Sequence, residues 1–148
     1  MRLLISFLLI AVHLPAQQFG YAVLGQTPGP WAEILSSVGL LPQSAADAAI
    51  IVARPGSAAS LEWTARVDAG TILILEGDSA LARSFGFRTL DRIAKLASLI
   101  DTHQPDLPLV LQQAVEISES SLPADAQVYT RERWTQVPVT AGIRRGKG

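Results

Sequence analysis

The sequence predicts an α/β fold three layers deep, with a buried parallel sheet at its centre and a β-rich C-terminal part. Three observations lead there. The runs AAIIVA at 48–53 and TILIL at 71–75 do not alternate with polar residues, the pattern of strands covered on both faces. The segments between the apolar runs carry apolar residues at helical spacing. Strands and helices then alternate along the chain, and the default solution for that order is a right-handed crossover into a parallel sheet.

Taken in order, the chain begins with a segment that reads as processing rather than structure. Met1-Arg2 supplies a positive charge, Leu3 to Val12 is apolar apart from Ser6, and His13-Leu14-Pro15-Ala16 ends the run. A charged start, an apolar stretch and a small-residue exit make a secretory signal peptide, with cleavage expected after Ala16. The run is shorter than the roughly 20 residues a membrane-spanning helix needs, although an uncleaved N-terminal anchor is the competing reading. The expectation is therefore residues 1–16 as signal peptide and 17–148 as a single α/β domain, periplasmic or extracellular, with no membrane span after cleavage.

The first strand is expected at Phe19–Leu24. Pro30 suits the first position of a helix, where its missing N–H is not needed. Trp31, Ile34, Leu35 and Val38 then form one apolar stripe before Gly39, a residue suited to a left-handed helix end. The strand at 48–53 follows. A second helix is expected from Ser57 to about Asp68, with Leu61, Trp63, Ala65 and Val67 as its apolar residues and Gly70 as its stop. After the strand at 71–75, Gly77-Asp78-Ser79 reads as a tight turn into a short helix over Ala80–Phe85, with Ser79 or Asp78 as its N-cap. Leu90 to Ile100 fits a helix through Leu90, Ile93, Ala94 and Ala97, and also fits an extended strand; the pattern leaves both open.

Beyond His103 the texture changes. Pro105, Pro108, Pro123 and Pro138 separate short β-prone pieces at Leu109–Leu111, Val115–Ile117, Gln127–Thr130 and Val137–Arg144. These predict short strands, antiparallel and near a sheet edge. Gly146-Lys147-Gly148 reads either as a turn toward a further strand, which would make the chain incomplete, or as a frayed tail.

Composition excludes several classes. The chain has 49% hydrophobic residues and no cysteine. A packed core is therefore possible, while disulfides, thiolate metal sites, lipid attachment through cysteine and cysteine nucleophiles are not. Twelve basic and 13 acidic residues nearly cancel and are scattered, so the electrostatic footprint of a nucleic-acid binder is missing. The Gly/Pro loop at 25–30 lacks both the phosphate-cradling lysine motif and GxGxxG spacing, so no nucleotide cofactor is expected.

The assembled pattern resembles the class I glutamine amidotransferase-like superfamily in its non-catalytic exported branches. The matching pieces are the opening strand into Pro30-Trp31, AAIIVARP at 48–55, the Val67–Leu75 helix, glycine and buried strand, Leu81–Phe87 ending in Gly-aromatic, and the closing Pro138–Gly148. The resemblance implies a flavodoxin-like, amidotransferase-like scaffold, with the remainder of a larger exported protein as partner. Catalytic members carry a cysteine on a strand-to-helix elbow, activated by a His and a Glu. This chain has no cysteine, so the resemblance implies an accessory or binding domain rather than an enzyme.

Two candidate sites follow. Open α/β sheets bind ligands at the carboxyl ends of their strands, which brings Arg54, Glu76, Asp78 and Arg83 forward as contacts for a small polar ligand; mutual pairing is the simpler expectation for four charged residues. Separately, Gly77-Asp78-Ser79 resembles the opening block of the GDSL-type serine esterases, with Ser79 as nucleophile beside Asp78 and His103 as the available base. A serine nucleophile needs a base within hydrogen-bond reach, and the Asp101-Thr102-His103 spacing departs from the Asp-x-x-His of those enzymes. Helix capping alone accounts for Asp78 and Ser79. Asp101, His103 and Asp106 are too few and too solvated to predict a metal site.

Overall fold

The computed structural model describes residues 19–25 and 29–148; the segment read as a signal peptide and loop residues 26–28 lie outside them. The elements are β1 (Gly20–Leu24), α1 (Trp31–Ser37), β2 (Leu41–Pro42), β3 (Ile50–Ala53), α2 (Leu61–Ala69), β4 (Ile72–Leu75), α3 (Ala80–Ser84), β5 (Arg88–Asp101), β6 (Leu109–Ser121), β7 (Gln127–Glu132) and β8 (Pro138–Gly142). They form a parallel sheet in the order β2-β1-β3-β4 and an antiparallel sheet in the order β6-β5-β7-β8. The fold is thus α/β with a β-rich C-terminal part.

In the parallel sheet, Ile51 lies opposite Ala22 on one side and Leu73 on the other. Alternate side chains then leave the sheet on opposite faces. Tyr21 and Val52 pack with Leu35 and Trp31 of α1. Ala53 packs with Val67 of α2 and with Leu81 and Phe85 around α3, while Ala22 and Ile51 meet Trp63 of α2. Helices cover β3 on both sides, which is why IIVA carries no polar residue. Ile51 and Val52 are fully buried, and each such side chain stabilises the fold by about 1.5–3 kcal/mol.

Several boundaries differ from the sequence reading, each for a local reason. α1 starts at Trp31 with Pro30 as its N-cap residue, one position earlier in role than expected. α2 starts at Leu61 rather than Ser57: Ser57 Oγ donates to the Arg54 carbonyl at 2.7 Å, closing a turn, and Ser60 Oγ accepts the Glu62 N–H at 3.1 Å as the true cap. The two-residue β2 pairs in parallel with Gly20 and Tyr21; a strand that short has no periodicity to read.

The Leu90–Ile100 ambiguity resolves as strand. β5 pairs with β6 along most of its length and with β7 at its end. Ala94, Leu96 and Ser98 are buried at alternate positions, a period of two that its helical spacing masks. The pieces expected at 109–111 and 115–117 are one strand, β6, whose pairing with β5 shifts register between Leu96 and Ser98. The antiparallel sheet curls, bringing β6 toward β8.

Residues 143–148 lie against the parallel half. Ile143 and Phe87 pack on the cluster of Ala53, Val67, Leu81 and Phe85. Arg145 pairs with Asp68 at 3.0 Å and lies over the Phe85 ring at 5.8 Å, while the Lys147 N–H donates to the Asp68 carbonyl at 3.1 Å. Gly146 has φ +58, and a Cβ there would stand 2.5 Å from the Asp68 carbonyl oxygen. Glycine is required there by both conformation and space.

Candidate functional site

The order β2-β1-β3-β4 places a reversal between β1 and β3. After β1 the chain crosses to β2 on one side; after β3 it crosses to β4 on the other. The connections diverge there and leave a crevice outside the strand ends, where open α/β sheets bind ligands. A shallow cleft of about 480 Å³ occupies that place, lined by Leu24 and Gly25 at the end of β1 and by Pro55, Ser57, Ser60 and Trp63 on the β3–α2 connection and α2.

The four charged residues read from the sequence at this edge form two separate pairs. Arg54 Nε meets Glu76 Oε2 at 3.0 Å, and the same oxygen accepts the Trp31 indole N–H at 3.1 Å. This joins the ends of β3 and β4 to the start of α1. Arg83 Nη1 contacts both Asp78 carboxylate oxygens at 2.7 Å on the surface of α3. Mutual pairing therefore engages all four, and the two pairs share no hydrogen bond among the described residues.

Ser79 is buried, and its Oγ accepts the Ala82 N–H at 2.9 Å as the N-cap of α3. His103 lies in the β5–β6 connection of the other sheet, where its ring pairs with Asp101 at 3.4 Å. Among the described residues no hydrogen bond links Ser79 to Asp78 or His103. Also among them, no group of three or more His, Asp or Glu side chains is gathered to hold a metal ion, and no helix is long and apolar enough to cross a membrane.

The sequence reading missed the cleft's own side chains. Glu62, Trp63, Ser57 and Ser60 were absorbed into an expected helix. The available signal was Pro55-Gly56 directly after a buried strand, which marks a loop at the ligand-binding edge.

A second residue that the sequence reading did not bring forward is Glu132, which is 2% exposed. Its Oε2 accepts the Trp134 N–H at 2.7 Å, the Thr135 N–H at 2.6 Å and the Thr135 hydroxyl at 2.9 Å. Burial pushes its carboxyl up, but hydrogen bonds from Thr135, Trp134 and the Ser98 backbone outweigh that and hold it below the ordinary carboxylate range. Glu132 thus caps the β7–β8 turn, leaving Trp134 exposed under the Arg133 guanidinium.

Compared with known proteins, the chain matches no family model, no curated protein and no solved structure.

Proposed function

We propose that this chain is a non-catalytic, amidotransferase-like binding module of an exported protein, engaging a small polar ligand at the carboxyl ends of β1 and β3. The observation that carries the reading is the cleft at the β1/β3 reversal. The 2-1-3-4 strand order, with α1 against one sheet face and α2 and α3 against the other, is the arrangement a flavodoxin-like, three-layer scaffold would require. The chain has no cysteine, so the thiol chemistry of catalytic amidotransferases has no residue to run on. The Arg54–Glu76–Trp31 network acts as a brace that fixes the mouth of the cleft rather than as a ligand contact. Export rests on the sequence of residues 1–16, and assignment as an accessory to a larger exported protein rests on the superfamily resemblance.

The test is a fragment library of mixed charge screened by ¹H–¹⁵N correlation spectra. Shifts clustering at Gly25, Ser57, Ser60 and Trp63 are expected. Clustering on the antiparallel sheet instead would overturn the reading. Hydrolysis of a short-chain chromogenic ester separates the esterase alternative: wild type and Ser79→Ala should give equal, negligible rates, and a rate abolished by the substitution would restore Ser79 as a nucleophile.

A further inference from the structure

We propose that the β7–β8 turn is a docking tip for an anionic lipid surface, with the Trp134 indole seated at the headgroup boundary and Arg131 and Arg133 drawn to the phosphates. The proposal goes beyond the cleft and does not depend on it.

The turn stands at the far end of its hairpin. Pro123, shortly before β7, lies against Gly86, and Ile143, directly after β8, packs on the cluster of Ala53, Val67, Leu81 and Phe85. Both ends of the hairpin thus sit at the parallel half, and residues 133–137 form the opposite end.

The backbone of that tip is fixed. Besides the three donors gathered by Glu132 Oε2, the Gln136 N–H donates to the Glu132 carbonyl at 3.0 Å and the Glu132 N–H to the Val137 carbonyl at 2.8 Å. The Arg133 N–H donates to the Ser98 carbonyl at 3.0 Å. Gln136 Nε2 ties back to the Arg133 carbonyl, and Arg131 Nη1 to the Gln136 carbonyl. A tip held this way has little left to order when it docks. What it holds out is apolar: Trp134 is 64% exposed, and among the described residues it joins no core cluster. The Arg133 guanidinium lies 5.6 Å from its ring centroid, so ring and cation are presented together.

Charge selects the sign of the surface. Between residues 131 and 138 the one acidic side chain is Glu132, which is buried with its carboxylate satisfied by the turn. Among the described residues no carboxylate forms an ion pair with Arg131 or Arg133. Shape then favours a lipid surface over a protein. A stable protein interface buries roughly 800 Å² on each side, more than one projecting ring and two guanidiniums supply. A lipid surface needs no complementary pocket. It takes an indole with the apolar body inward and the N–H wet, and its negative potential attracts the basic residues beside it.

The experiment titrates the whole chain with vesicles of phosphatidylglycerol and, separately, of phosphatidylcholine, reading tryptophan emission and co-sedimentation. A blue shift and co-sedimentation are expected with phosphatidylglycerol at low ionic strength. Both should be absent with phosphatidylcholine and should fade as salt screens the exposed charges. Trp134→Ala should abolish both, with Trp31 and Trp63 left to report an unchanged fold. Arg133→Gln should weaken binding about fivefold. Arg144→Gln removes the same charge from an exposed position beyond the hairpin and should not weaken it. No binding to phosphatidylglycerol, equal binding to phosphatidylcholine, or wild-type binding by Trp134→Ala would each overturn the proposal. Equal weakening in the two arginine variants would do the same, since net charge rather than the tip would then carry the attraction. A glutamate-rich peptide is run in parallel: if it shifts the Trp134 emission and the vesicles do not, the tip serves an acidic protein partner and the lipid assignment falls.

Discussion

Glu132 shows how much a single side chain holds in the antiparallel half. Its carboxylate collects two N–H groups and a hydroxyl from the turn that follows it. Replacing the carboxylate with a neutral amide keeps an acceptor oxygen but removes the charge that strengthens those hydrogen bonds, at a cost of about 1 kcal/mol. Glu132→Gln should therefore lower the urea midpoint by an amount of that order. The effect should depend on pH with a definite sign. The folded carboxyl is held below its ordinary range, so its contribution is complete above the unfolded value of about 4.3 and is lost as pH falls through the lower folded value. Stability curves of wild type and Glu132→Gln should converge on acidification below about pH 4 and stay apart at neutrality. None of this was legible in the sequence. An Arg-Glu-Arg stretch on a strand reads as a solvated face, and only the turn geometry bends the backbone N–H groups back onto the carboxylate.

At the scale of elements, legibility followed periodicity. The strands at 50–53 and 72–75 were readable because an unbroken apolar run has one natural home, inside a sheet covered twice. β5 was not, because Leu90, Ile93, Ala94 and Ala97 satisfy helical spacing while Ala94, Leu96 and Ser98 satisfy the strand period; pairing with β6 and β7 decided it. The turn at Gly77-Asp78-Ser79 was correctly read as a cap, and that role is open to measurement. Ser79→Ala should cost about 1 kcal/mol by leaving the Ala82 N–H without its partner, whereas Ser79→Asp should recover most of that loss. A harsher outcome is expected at the closing segment. Gly146→Ala must fit a methyl group against the Asp68 backbone in a left-handed conformation, and should lower the melting temperature by several degrees, corresponding to roughly 1–3 kcal/mol.

For the whole molecule, the cluster around Phe85 joins parts distant in sequence. Ala53 and Val67 belong to the parallel half, Phe87 leads into β5, and Ile143 follows β8. Phe85→Ala should cost about 3–5 kcal/mol, and fluorescence and circular dichroism should then still report one coincident transition, because both halves lose the same contact. The candidate site was only half legible at this scale. The sheet edge was predictable from the β-α-β order, but the reversal between β1 and β3 depends on where β2 pairs, and a two-residue strand leaves no trace in hydropathy. The charged quartet drew attention because charge is conspicuous in a sequence; the cleft beside it is built of small residues that are not.

β3 lies between two blankets of helix, whereas β5 meets the interior with every second residue. A saturation mutagenesis scan scored for folded protein should therefore draw two different silhouettes. Positions 50 to 53 should appear as a solid bar that rejects every polar side chain, since Ile51, Val52 and Ala53 have no exposed surface at all. Positions 93 to 98 should appear as a comb, permissive at Ile93 and Lys95 and strict at Ala94, Leu96 and Ser98.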